Sequence, residues 1–456
     1  MVDSGAPQEG WQVRRLGPRL RLFQAEGERF KTCTLRVYLH APLEVDTVTA
    51  TALVPQLLGR GCEGYPDLTA IQRRREQLYG ASVGAGVGKA GEVQSVFLGM
   101  DAVADRYLPP GSGVLSGAVD LLARLLLRPA LDADGHFPAE TVAQEKENLA
   151  RHIRGLLNDK DHYASLRCVE AMCAGEPYAL NGSGRLEDLD RLNAAALTQR
   201  WRSLVDQAPI DVFVVGGGGL LVDLVTQALE PLASGSGTWP ATHRGPTPAS
   251  PRRVTERESM QQAKLCMGYR TEITRGHPLY AGMLLATGIL GGFPHSKLFR
   301  NVREKASLAY YAHAHWDSLK GLVLVASGIE AEKYGQAEGI ITAQLEDLAA
   351  GRFDADELEF TRLGLTNGMR AALDSPYAMI DTAEHQALAG PLRPLPERLA
   401  EIAAAGREEV VAAARTITLD TIYLLHGLAD DPPTATEAGG EVGAATRNAA
   451  QTAPRR

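Results

Sequence analysis

Apolar and polar residues alternate with period two over residues 33–41, "CTLRVYLHA", the pattern of a half-buried strand. Helical spacing follows over residues 49–61, "TATALVPQLLGRG", and 68–80, "LTAIQRRREQLYG", each closing on glycine. Residues 81–87 and 93–100 return to a strand pattern. Helical periodicity then occupies residues 113–127, 139–159 and 186–205, before a strand at 210–216 and a helix at 220–232. The same order recurs further on: a strand at 263–271, helices at 278–292 and 296–306, and strands at 307–316 and 322–330. Helices at 335–351, 355–373 and 407–417 and a last strand at 420–428 complete the second series.

Two stretches interrupt this periodicity. "SGSGTWPATHRGPTPASPRR" (234–253) is rich in Gly, Pro, Ser and Thr and reads as a linker. The terminal "DPPTATEAGGEVGAATRNAAQTAPRR" (431–456) has the composition of a disordered tail. The pattern predicts an α+β protein of tandem duplicated domains, each an antiparallel or mixed sheet covered by helices. The expected boundaries are 1–233 for the first domain, 234–258 for the linker, 259–430 for the second domain and 431–456 for the tail.

Composition narrows the function. The formal charge is −8 and 45% of residues are hydrophobic, as in ordinary soluble domains. The densest basic run, Arg73 to Arg75, is followed at once by Glu76, so no concentrated positive field for nucleic acid is expected. Five cysteines, an odd number without a C-x-x-C pair, fit reduced thiols. No secretory leader and no membrane-spanning run is visible, and a cytoplasmic location is expected.

Simple catalytic motifs are missing. "DVFVVGGGGLLVDLV" places glycines between a strand and a helix, but no acidic residue ends a second strand about twenty residues on, so a flexible turn is the better reading. His313 and His315 share one face of the strand at 307–316 and with His295 could make a three-histidine metal site; ordinary polar positions are the simpler account.

"ILGGFPHSKLFRNVREKASLAYYAHAH" (289–315) resembles the C-terminal signature of the insulinase/pitrilysin metallopeptidase family, the inverzincins. Tandem α+β domains are also a property of that family, and the resemblance extends from about residue 20 to 428. It implies that Arg303 and Tyr310 reach toward a peptide, the Arg fork to main-chain carbonyls and the phenol to a scissile carbonyl becoming an oxyanion.

The first half departs from the family. Active members carry H-x-x-E-H in the helix matched by residues 49–61, and alignment on Leu57 to Gly61 puts Ala52, Pro55 and Gln56 at its His, Glu and His. The further Glu ligand falls near His152. No metal is therefore expected in this chain.

The resemblance implies a zinc-less, Arg/Tyr-bearing subunit, inactive alone. It would form a clam-like half-chamber and pair as a heterodimer with a zinc-bearing homologous subunit to act on a peptide substrate, without nucleic acid or membrane partners. "LYGASVGAGV" and "NDKDHYASLRCVEAMCAGEPYALNGSGRLEDLDRL" are similar to bacterial peptidase-like proteins associated with 5-aminopentanol modification of elongation factor P. The alternative is a non-catalytic scaffold or peptide-holding protein derived from a peptidase.

Overall fold

The computed structural model describes residues 10–428 apart from 236 and 307; the expected tail, 431–456, lies outside the described residues. The first sheet contains β1 (Trp11–Arg15), β2 (Leu20–Ala25), β3 (Thr32–Pro42), β4 (Ser82–Ala90), β5 (Val93–Val103) and β6 (Ile210–Val215) in the order β1-β2-β6-β3-β5-β4. The second contains β7 (Arg252–Glu258), β8 (Ala263–Arg270), β9 (Ala309–Asp317), β10 (Leu322–Ile329) and β11 (Thr418–Gly427) in the order β7-β11-β8-β10-β9.

Without β1 the two orders are the same, strand for strand. In each, only the pair formed with the last strand by the strand beside it at the β2 or β7 position is parallel, and every other pair is antiparallel. This shared topology is the structural content of the duplication that the element order predicted.

One face of each sheet is covered by helices of its own half. Leu35, Val37 and Leu39 of β3 meet Leu53, Leu57, Leu121 and Leu125, and Leu265 and Met267 of β8 meet Leu285, Ile289 and Ile341. The opposite faces are covered by exchange. Helix Lys160–Met172, from the first half, lays Ala164 and Cys168 against Cys266, Ala326, Tyr423 and Leu425 of the second sheet. Helix Pro376–Ala389, from the second half, lays Met379, Ile380, Ala383 and Ala387 against Phe23, Tyr38, Phe213 and Val215 of the first. The two occupy equivalent places, each following a 17-residue helix and a single 3₁₀ turn. Asp159 and Ser375 cap them by accepting backbone N–H bonds.

Paired polar groups sit under both exchanged helices. His40 of β3 reaches Asp211 of β6 (Nε2–Oδ2 3.1 Å), which also accepts two 2.8 Å bonds from Arg21. Burial opposes ionisation of Asp211, but the bonds from His40 and Arg21 prevail and hold its carboxyl below its usual range. On β8, Arg270 donates to Asp420 of β11 and to Glu176, both at 2.6 Å.

The linker is held by specific contacts. Trp239 lies 3.8 Å beneath the Arg21 guanidinium, and Thr242 accepts a bond from the Glu92 N–H at 2.9 Å. His243 donates its N–H to the Glu92 carboxylate at 3.1 Å. Residues 252–258, expected within the linker, form β7 and pair with β11. Contacts with distant residues order this segment, and such contacts leave no local signature. The glycine run after β6 is the turn its sequence suggested: Gly216, Gly217 and Gly218 all have positive φ, a conformation only glycine adopts freely.

Candidate functional site

The helix matched to the zinc motif is Val48–Leu58. All its residues are buried except Gln56, and Pro55 lies inside it, removing one backbone donor. Ala52, 2% exposed, belongs to the hydrophobic core. The position of the first metal-binding His is thus core packing, and that of the base is a buried proline. His152 is exposed on helix Ala139–Gly155, where Glu145 is buried and ion-pairs with Arg60 at the end of the motif helix. Two transition-metal donors and a carboxylate base cannot be assembled from Ala, Pro and Gln, so zinc does not fit this half.

The second half keeps its polar pair. Residues 299–305, Phe299–Lys305, form a wide π-helical run, a geometry often found at functional positions. Val302 is buried beneath it, while Arg303 faces solvent. The chain then enters β9, whose first turn outward presents Tyr310, 75% exposed. The structure brings the two together: the Arg303 guanidinium carbon lies 5.8 Å from the Tyr310 ring centroid and 4.5 Å from that of Phe299. Among the described residues no hydrogen bond or ion pair engages the Arg303 side chain. Its neighbours differ, since Lys297 and Arg300 direct their charges to the buried Glu357, at 3.7 and 3.5 Å. Phe299 was not singled out in the sequence, although its i, i+4 spacing from Arg303 placed the two on one helix face.

The three histidines do not converge. His295 bonds Thr361 Oγ1 at 3.0 Å and stacks on Phe293 at 5.3 Å. His313 and His315 lie on the face of β9 that also carries Tyr311, whose hydroxyl donates to Asp161. Burial, reinforced by His315 and opposed by Asp161, lowers the pKa of His313. Among the described residues no group of three or more His, Cys, Asp or Glu side chains could hold a metal.

Similarity to known proteins agrees with this geometry. A family model described as "Peptidase M16 inactive domain" matches residues 191–365. "Probable inactive metalloprotease YmfF" of Bacillus subtilis is 35% identical over 402 residues, covering 88% of this chain and 94% of that protein. The chain belongs to the insulinase, or M16, metallopeptidase family. The domain model and the relative it matches are both described as inactive, and among the described residues no cluster that could hold zinc is present.

The crystal structure of a conserved protein from Enterococcus faecalis V583 superposes with a TM-score of 0.85 at 31% identity, over 92% of this chain and 100% of that one. The family also has members named for zinc. "Uncharacterized zinc protease YmxG" of Bacillus subtilis is 26% identical over 168 residues, 36% of this chain and 41% of that protein. No helix among the described residues is long and apolar enough to cross a membrane.

Proposed function

We propose that this chain is the zinc-less, substrate-binding subunit of a two-chain peptidase, its partner a zinc-bearing homologue. One observation carries the reading. Arg303 and Tyr310 are exposed side by side and, among the described residues, no hydrogen bond or ion pair engages their donors, while in the half that would hold metal core-packed Ala52 and exposed Gln56 stand at the two His positions and buried Pro55 at that of the base. The neighbouring Arg300 and the buried Lys297, by contrast, both direct their charges to Glu357.

In this reading the partner supplies metal, water and base. Arg303 binds main-chain carbonyls of the peptide, and the Tyr310 hydroxyl donates to the scissile carbonyl as negative charge develops on its oxygen. This chain closes its half of a clam-like chamber in a cytoplasmic heterodimer. The likeness of residues 78–87 and 158–192 to proteins associated with 5-aminopentanol modification of elongation factor P supports a narrower proposal, that the pair serves that modification.

The test is to purify the chain with whatever accompanies it, identify the zinc-bearing member and assay peptide cleavage. Tyr310→Phe is expected to lower turnover roughly a hundredfold, the loss typical of a missing oxyanion donor. Arg303→Ala is expected to act mainly on KM, because its carbonyl contacts also form in the ground state. Full activity in both variants, with association intact, would remove the catalytic role and leave the scaffold reading. An unchanged mass of elongation factor P after deletion of the gene would remove the narrower proposal alone.

A further inference from the structure

The Arg303 side chain is long, exposed and, among the described residues, unsupported by any carboxylate, yet it lies within reach of two rings. Its guanidinium carbon stands 4.5 Å from the Phe299 centroid and 5.8 Å from the Tyr310 centroid, both within the ~6 Å range of cation–π attraction. Phe299 and Arg303 are four residues apart on the same helical run, whereas Tyr310 comes from the following strand. The contact therefore ties the helical run to the strand through the Arg303 guanidinium.

We propose that Phe299 is a positioning residue, its ring and that of Tyr310 fixing the Arg303 guanidinium so that its N–H groups meet an extended peptide main chain. This rests on the subunit reading above. The chemistry suits the task. A carboxylate would hold an arginine more firmly but would occupy the donors that a peptide carbonyl needs. An aromatic face attracts the charge without accepting a conventional N–H···O bond. It also restricts the rotamers that a free arginine would lose on binding, so less ordering cost falls on the substrate. The ligand class follows: main-chain carbonyl oxygens of an extended peptide, read without regard to side chain.

The test compares Phe299→Leu, which keeps apolar bulk, with Phe299→Tyr, which keeps the ring. The first readout needs no partner. The Nε–Hε NMR signal of Arg303, assigned by its loss in Arg303→Ala, should be shifted upfield by the ring currents in the native chain. Phe299→Leu should move it toward the free-arginine position, and Phe299→Tyr should leave it in place.

The second readout is peptide cleavage by the pair with its zinc-bearing subunit. Phe299→Leu should raise KM about two- to fivefold, the size expected of an exposed cation–π contact, with kcat little changed and Phe299→Tyr restoring KM. If Phe299→Leu lowers stability while leaving the Arg303 signal and KM untouched, Phe299 is packing only and the inference is overturned. Should Phe299→Leu fail to fold, Tyr310→Leu tests the clamp from the other side by the same NMR shift. The two readings fail separately: if Arg303→Ala leaves cleavage unchanged, the subunit reading falls, while the NMR comparison still decides whether the clamp exists.

Discussion

Replacing Lys320 by Met should loosen the junction between the halves more than any surface change. Lys320 lies in the turn between β9 and β10 and is 1% exposed. Its ammonium reaches Glu92 Oε1 at 2.5 Å and Glu176 Oε2 at 2.7 Å, and also donates to the His243 carbonyl. Glu92 follows β4 in the matching hairpin of the first half, so two equivalent hairpin tips meet through this ion pair, with the linker laid across it. Removing one partner of a buried pair costs about 3–5 kcal/mol, because the remaining charge stays buried without compensation.

Each carboxylate here keeps another partner, Glu92 the backbone N–H and ring of His243 and Glu176 the Arg270 guanidinium, so the expected cost lies near the lower figure, about 3 kcal/mol. The assay is the urea unfolding midpoint of the native chain and Lys320→Met between pH 5 and pH 7. Burial opposes ionisation of Glu92 and Glu176, yet bonds from Lys320, His243 and Arg270 hold both below the usual range. In the native chain their contribution is therefore present above the unfolded carboxylate pKa and is lost as pH falls through the folded one. Without Lys320 the folded pKa values rise, so the deficit should be largest near pH 7 and shrink toward pH 5. A deficit below about 1 kcal/mol at pH 7, the range of exposed pairs, would refute the reasoning. So would a deficit independent of pH.

Lys89 gives a second pH signature. Burial pushes its amine down to about 8, with its N–H groups donating to the Tyr178 and Leu180 carbonyls. The folded state thus penalises the charged amine. Stability should rise between about pH 8 and the unfolded lysine pKa of about 10.4, and Lys89→Met should flatten that rise in pH-dependent thermal melts. Elemental analysis of the purified chain should find zinc well below stoichiometric. Ala52→His alone should not change this, because catalytic zinc sites use about three protein ligands; a tightly held equivalent of zinc would contradict the account of the first half.

Much of the fold was legible because strands such as β3 alternate apolar and polar residues and the helices Val48–Leu58 and Leu68–Gln77 are closely followed by glycine. The sequence pattern missed the elements with the weakest apolar signal. Helix Lys160–Met172 buries only Ala164, Cys168 and Met172, a stripe of small or soft residues that periodicity barely registers. Strand β7, "RRVTERE", has no fully buried residue and is ordered by pairing with β11, more than 160 residues away. β1 and β2 also went unmarked, though Trp11 and Phe23 anchor the face covered by the exchanged helix. At the site, Arg303 and Tyr310 were found through a family signature. Neither the clamp by Phe299 nor the absence of competing partners can be read without the strand and helix in place.

The exchanged helices explain how one half can lose its metal chemistry and remain in use. Each sheet has a face that its own half leaves uncovered, and the other half supplies the cover. Met379, Ile380 and Ala383 bury Phe213 and Tyr38, and Ala164 and Cys168 bury Tyr423 and Leu425. Each half therefore relies on the other's helix to cover one face of its sheet, whether or not the first binds zinc. Ala52 and Pro55 fill core positions that His and Glu could occupy only by placing polar groups among Leu53, Leu57 and Leu58, at a cost unless metal or hydrogen bonds satisfied them. Arg303 and Tyr310 of the second half are placed differently. These residues are exposed and contribute little burial, so stability does not account for an unpaired arginine clamped between two rings. The proposed peptide-binding role would give that arrangement a use that packing does not.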